Sequence, residues 1–275
     1  MAALPVNSPG AAPPRWTAEL LGRLEQGPLA GAGHLERAGG RFVARHRRGI
    51  IASAFQPVVS TRDGSVFGHQ AYARAAGHGG EAAAPWSVFA HAADGQEVVR
   101  LDRLVRTTHA LNYFDRPRAQ PRLFVRVEQR LLDTVTDEYG RAFEEILDAL
   151  GARPAQVVIV LPSSAIDDPT VFVRATLSYR RRGYAVAAQA RSVRDLARSS
   201  IALAEPGFVI LPRPSADQIE AAGRVTGLLH GLGVRTIARD VETAGEAAWS
   251  HAAGFDLLQG HHFGKPLPDA WGGRP

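Results

Sequence analysis

From residue 50 onward, short apolar runs alternate with longer amphipathic ones, and that rhythm leaves few folds open to the chain. The runs 123–127 (LFVRV), 157–161 (VVIVL), 184–188 (YAVAA), 208–211 (FVIL), 234–238 (VRTIA) and 256–258 (DLL) read as strands. Strands so uniformly apolar belong to a parallel sheet covered on both faces. Segments around 138–150, 169–182, 192–204, 215–231 and 243–253 separate them and read as helices. So many strand–helix units favour an α/β fold closed into a TIM-like (β/α) barrel, which takes about 250 residues.

The start of this region has a different pattern. Residues 54–59 (AFQPVV) and 66–74 (VFGHQAYAR) read as strands joined by the turn 61–65 (TRDGS), and so short a link makes the first strand pair antiparallel. Residues 97–114 then place Val98, Leu101, Val105, Thr108 and Leu111 on one helical face.

Composition excludes several chemistries. Cysteine is absent from the 275 residues, which removes disulfides, thiolate zinc sites and cysteine nucleophiles. No stretch approaches the roughly 20 apolar residues of a membrane span, and the opening MAALPVNSPGAAPP has no basic leader, so a cytoplasmic protein without a membrane partner is expected. The net charge of +5 sits near the front: residues 1–50 hold seven arginines against three glutamates. Residues 1–49 therefore read as a basic, partly disordered leader with a short helix near 16–24, followed by a barrel over 50–268 and a tail over 269–275. The cluster Arg41, Arg45, Arg47, Arg48 fits a solvated linker face or a docking surface for an acidic partner; without interleaved aromatics, nucleic acid is not expected. Gly31, Gly33 and Gly39 follow no strand expected there, so they are not a dinucleotide fingerprint.

Motifs then narrow the fold. The segment 255–268 reads FDLLQGHHFGKPLP, and it is accompanied by FQPVV at 55–59, GHQAYAR at 68–74, LDRLVR at 101–106 and VET at 241–243. In this order and spacing they resemble the EAL domain, a barrel of the TIM type with an antiparallel first strand pair, whose active members hydrolyse cyclic-di-GMP with two divalent cations. The resemblance covers about residues 50–268. It places the family's acidic, Asn and Lys positions at Gln70, Arg126, Val160, Gln189, Ala190, Ile210, Pro212 and Arg239. Hard cations need oxygen ligands. Val160, Ala190, Ile210 and Pro212 offer none in their side chains, and arginines repel cations, so the resemblance implies a degenerate, non-catalytic member with no metal or other cofactor.

The same resemblance implies which residues would hold a nucleotide. Gln56, Arg74 and Gln259 match ligand-holding positions, Arg74 beside a phosphate, while Tyr72 and Pro266 lie in segments that contact base or ribose. Arg126 and Arg239 become candidates if they point into the mouth, because guanidinium is a good bidentate partner for phosphate; pairing with Glu128, Asp240 or Glu242 is the other reading. Two functions remain open: a binding module that senses cyclic-di-GMP and relays that state to a protein partner, and a protein-interaction scaffold that no longer binds the nucleotide. An active phosphodiesterase is the least expected.

Overall fold

The computed structural model describes residues 18–47, 49–77, 82–83, 87–90, 92–115, 121–134, 140–192, 196 and 201–270. Among the described residues eleven strands form one sheet: β1 (His34–Ala38), β2 (Arg41–His46), β3 (Gly49–Ser60), β4 (Val66–Ala76), β5 (Ala82–Ala83), β6 (Arg122–Arg126), β7 (Val157–Leu161), β8 (Ala185–Gln189), β9 (Phe208–Pro212), β10 (Arg235–Arg239) and β11 (Leu257–Gln259). Strands β4 and β6 to β11 run parallel, each hydrogen-bonded to the next. Strand β3 runs antiparallel to both β4 and β11 and so closes an eight-stranded barrel. The expected antiparallel first pair and TIM-like closure are both present, and the strands fall within a residue or two of their expected bounds, β3 excepted, which starts earlier.

Alternation of side chains divides each barrel strand between two cores. Val58, Phe124, Val158, Val160, Ala187, Phe208, Ile210, Ile237 and Leu257 fill the barrel interior, and their neighbours Leu123, Val125, Val157, Ile159, Val186, Val209 and Leu258 pack outward beneath the helices. Gly68 is fixed by this packing. A Cβ there would lie 2.7 Å from the Phe124 ring and 2.5 Å from the Arg122 carbonyl oxygen.

The helix Gly95–Phe114 is the principal outer element. Asp94 caps it by accepting from the Glu97 amide, while Glu97 accepts from the Ala93 amide and pairs with Arg47 at 2.7 Å. Residues 169–181 and 219–231 form helices as expected, and the 138–150 region contributes Arg141–Ala149. Of the helix expected over 192–204, Leu196 and Ile201–Ala204 are helical; residues 193–195 and 197–200 lie outside the described residues.

The N-terminal segment answers a question that the sequence left open. A helix at Ala18–Gln26 and the hairpin β1–β2 pack onto the barrel, with β2 paired antiparallel to β3 and Leu20, Leu24, Leu29, Leu35 and Phe42 buried. Asn112 of the long helix acts as a surrogate strand for β2. Its Oδ1 accepts from the Phe42 amide and its Nδ2 donates to the Phe42 carbonyl, both at 2.8 Å. Residues 1–17, including Trp16, and residues 271–275 of the tail lie outside the described residues.

Candidate functional site

In a parallel barrel the C-terminal strand ends form the mouth. The residues that reach it here are fixed by the inward parity already described. Gln70, Arg126, Gln189, Pro212, Arg239 and Gln259 each lie two residues beyond an inward residue of the same strand, and Gln56 lies two before Val58 on the antiparallel β3. Val160 and Ile210 belong to the same inward set. Ala190 packs outward, so of the pair Gln189 and Ala190 only the glutamine faces in.

Three expected site residues meet directly. Gln56 Oε1 accepts from the Tyr72 hydroxyl at 3.2 Å and from Gln259 Nε2 at 3.1 Å, and the same Nε2 donates to the Tyr72 oxygen at 3.0 Å. Gln56 Nε2 donates to the Gly264 carbonyl at 3.0 Å, which ties the loop after β11 to the triad. Gln56 and Gln259 are buried and Tyr72 is half-buried. Pro266 joins only through its neighbours: Gly264 is held by Gln56, and Leu267 pairs with Phe55 across a β-bridge.

Arginines surround the triad. Burial pushes the Tyr72 hydroxyl up and the Asp240 charge adds to it, while the Gln259 hydrogen bond and the charges of Arg126 and Arg239 pull it down, so both cations and one carboxylate act on the triad. Arg126 is exposed at the end of β6. Arg239 is half-buried and donates Nη1 to Asp240, while its buried Nε has no acceptor. Asp240 adopts the left-handed conformation at φ 63°, a region Asp tolerates better than most residues. Arg74 lies on the face shared by Gln70 and Tyr72, further along β4, and is exposed.

A cavity of about 380 Å³ opens beside the mouth, where β4 and β6 separate, lined on one side by Gln70, Tyr72, Arg74 and Arg126. Its other wall is Asp102, His109 and Glu128, which sequence reasoning did not assign to the site. The helical spacing of Asp102 and His109 puts both on the barrel-facing side, and LDRLVR contains the first of them, but only the fold brings Glu128 to the same wall. Asp102 Oδ1 accepts from the Glu128 amide at 3.1 Å, so it fixes the turn two residues past Arg126. Burial and the Asp102 charge together push the Glu128 carboxyl up, opposed by Arg126 and Arg130.

His109 and Ser53 are hydrogen-bonded at 2.7 Å through Nδ1, and burial pushes His109 down to about 3. His69, bonded to Tyr113, is pushed down to about 4 by burial. An unfolded chain protonates both near pH 6.5. Below that pH the unfolded state binds protons that the folded barrel refuses, so the stability due to neutral His109 is complete above 6.5 and falls as the pH drops toward 3. At about 1.4 kcal/mol per unit, acidification from 6.5 to 4.5 costs about 2–3 kcal/mol at His109, and His69, whose folded value of about 4 also lies below this range, adds a nearly equal loss. Urea unfolding should show this slope, and His109→Asn should remove close to one proton from it; a wild-type profile flat over that range would refute the assignment.

The donor set does not fit a pair of divalent cations. The inward side chains at the mouth are amides, guanidiniums and hydrocarbons, and among the described residues no three His, Cys, Asp or Glu side chains gather in a way that could hold a metal ion. His261, in the last motif, pairs with Glu242 at 3.2 Å, and His262 packs against Phe263, with ring centres 4.8 Å apart.

Known proteins place this geometry. The chain is similar in fold to Klebsiella pneumoniae BlrP1 in a complex with manganese and cyclic diGMP, at 21% identity and a TM-score of 0.66, over 79% of this chain and 56% of that one. A standalone EAL protein from Vibrio cholerae in its c-di-GMP-bound form matches at 18% identity and a TM-score of 0.66, over 82% and 95%. BlrP1 with FMN and cyclic diGMP and no metal ions matches at 22% and 0.60, over 79% and 53%. The chain thus spans little more than half the length of BlrP1. No curated protein matches it significantly. Residues 42–266 match the family model of the EAL domain, from the middle of the β1–β2 hairpin to the loop that Gln56 anchors, and the chain belongs to the EAL-domain family.

Proposed function

We propose that this chain is a non-catalytic EAL-domain protein of the cytoplasm that binds cyclic-di-GMP without metal and relays its occupancy to a protein partner. One observation carries the reading. At the mouth, the inward positions present amide, hydroxyl and guanidinium groups where a two-cation hydrolase needs carboxylates. Arg74, Arg126 and Arg239 supply charge-assisted donors for phosphate, and the cavity beside Tyr72 and Arg74 gives room for a base. Metal-free binding has support in the fold: BlrP1 holds cyclic diGMP in a structure with no metal ions.

A second reading rests on the triad itself. Gln56 Oε1 accepts twice and Gln259 Nε2 donates twice within it, and Arg239 already has Asp240, so part of the mouth is self-satisfied, as in a scaffold that no longer takes the nucleotide. Calorimetry with cyclic-di-GMP in excess chelator separates the two. Binding is expected to saturate, and the double variant Arg126→Ala/Arg239→Ala to weaken it at least about tenfold, since a hydrogen bond to a charged group contributes about 1.5–3 kcal/mol. No heat from the wild type leaves the scaffold reading. Linear product formed in magnesium or manganese, beyond what a trace contaminant makes, overturns the non-catalytic reading.

A further inference from the structure

Strands β6 (RLFVR) and β10 (RTIAR) carry arginine at both ends of their inward faces. Arg126 and Arg239 stand at the mouth, and Arg122 and Arg235 stand at the opposite end, the barrel floor. The floor is aromatic. Phe67, Phe124 and Phe208 form a cluster with ring centres 5.8 to 6.3 Å apart. The Arg122 guanidinium lies 5.5 Å from the Phe67 ring centre and 6.0 Å from that of Phe208; for Arg235 the distances are 4.5 and 5.7 Å.

Two cations thus share the same pair of rings. Neither side chain makes a hydrogen bond or an ion pair among the described residues. A guanidinium lying on a ring uses its π face and keeps its edge N–H groups free to donate. Two carboxylates in the turns at this end of the barrel have partners of their own. Asp256 accepts from the Thr236 amide and hydroxyl and from His230, on the helix side of β10, and Asp63 accepts from Ser65 in the β3–β4 turn. Stacking holds the two like charges together, and their repulsion is left for a counter-ion to relieve.

We infer that the barrel floor is a second anion site, in which Arg122 and Arg235 clamp one phosphate-type dianion. Two guanidinium forks match a doubly charged tetrahedral oxyanion better than a single carboxylate, and because both cations already cover Phe67, the anion needs no base to stack on the floor. This site lies at the opposite end of the barrel from the mouth, and does not depend on cyclic-di-GMP binding there.

Phenylglyoxal footprinting of the full chain, read residue by residue by mass spectrometry, tests it with inorganic phosphate as the probe and chloride at matched ionic strength as the reference. Phosphate at about ten times its Kd should slow modification of Arg122 and Arg235 roughly tenfold, as occupancy requires. Equal rates in phosphate and chloride overturn the site. Arg126→Ala/Arg239→Ala should keep the floor protection, and adding Arg122→Gln/Arg235→Gln to that background should abolish the thermal shift that phosphate still gives it. A shift that persists in the folded quadruple variant also overturns the site. If that variant does not fold, the wild-type footprint decides alone.

Discussion

A chain that begins at Gly49 is expected not to fold, although the strands of the barrel all lie beyond that point. The missing piece carries Leu20, Leu24, Leu29, Leu35 and Phe42, all buried and all part of the same core as Val98, Leu101 and Leu104 of the helix Gly95–Phe114. At about 1.5–3 kcal/mol for each buried apolar side chain, their loss amounts to on the order of 10 kcal/mol, comparable with the whole stability of a typical domain. The damage extends to polar groups. Asn112 would lose the Phe42 amide and carbonyl, and Glu97 would lose Arg47. Circular dichroism and denaturant titration of this truncation beside the full chain measure the loss. A Gly49 chain that unfolds cooperatively within about 2 kcal/mol of full length would show the hairpin to be an ornament.

That hairpin also shows where sequence reading stopped. Residues 34–46 read HLERAGGRFVARH, charged enough to pass for a linker, and in the sequence Gly39 follows no expected strand and belongs to no dinucleotide fingerprint. Its role in the fold comes from backbone geometry: Gly39 and Gly40, at φ 58° and 79°, make a two-residue turn in which both central residues need positive φ. A glycine pair flanked by alternating apolar residues was the available signal. The barrel strands were legible because nothing competes with their pattern. VVIVL is buried at every position and has no helical alternative of that length.

The mouth was legible for the same periodic reason, since inward parity follows from the strands alone. The convergence of Gln56, Tyr72 and Gln259 was implied by family motifs far apart in the chain, but their mutual hydrogen bonds depend on how β3 sits between β4 and β11. The sequence leaves the direction of Arg239 open between the mouth and a neighbour, and in the fold it has the neighbour Asp240 as a partner. Its Nη1 bonds Asp240, while its charge still acts on Tyr72. Asp102 was read only as part of a motif. Its place at the cavity wall depends on a loop 26 residues away, through the Glu128 amide, and no local pattern encodes that contact.

Replacing Arg106 with Met is expected to destabilise the barrel by about 3–5 kcal/mol, the usual cost of leaving one member of a buried ion pair alone. Arg106 is 3% exposed and Asp102 2%. The two side chains bond one turn apart on the long helix, and the guanidinium lies 5.0 Å from the Phe143 ring centre. Burial pushes the Asp102 carboxyl up even with Arg106 beside it, so without the cation Asp102 must take up a proton or stay charged in an apolar wall. The pair is not an efficient stabiliser, however. Arg106 Nε and Nη1 are buried without acceptors, which adds to the desolvation the pair already pays. The double variant Asp102→Leu/Arg106→Met should therefore recover most of the loss, giving a coupling of at least about 2 kcal/mol in a double-mutant cycle by urea unfolding. Asp102 has a second effect that stability alone does not report: it holds the Glu128 amide and, through it, the turn that follows Arg126. In the stable double variant that tether is absent, so on the proposed binding function cyclic-di-GMP affinity should fall while the unfolding midpoint stays near wild type. An Arg106→Met protein within about 1 kcal/mol of wild type would mean that the pair contributes nothing the core cannot replace.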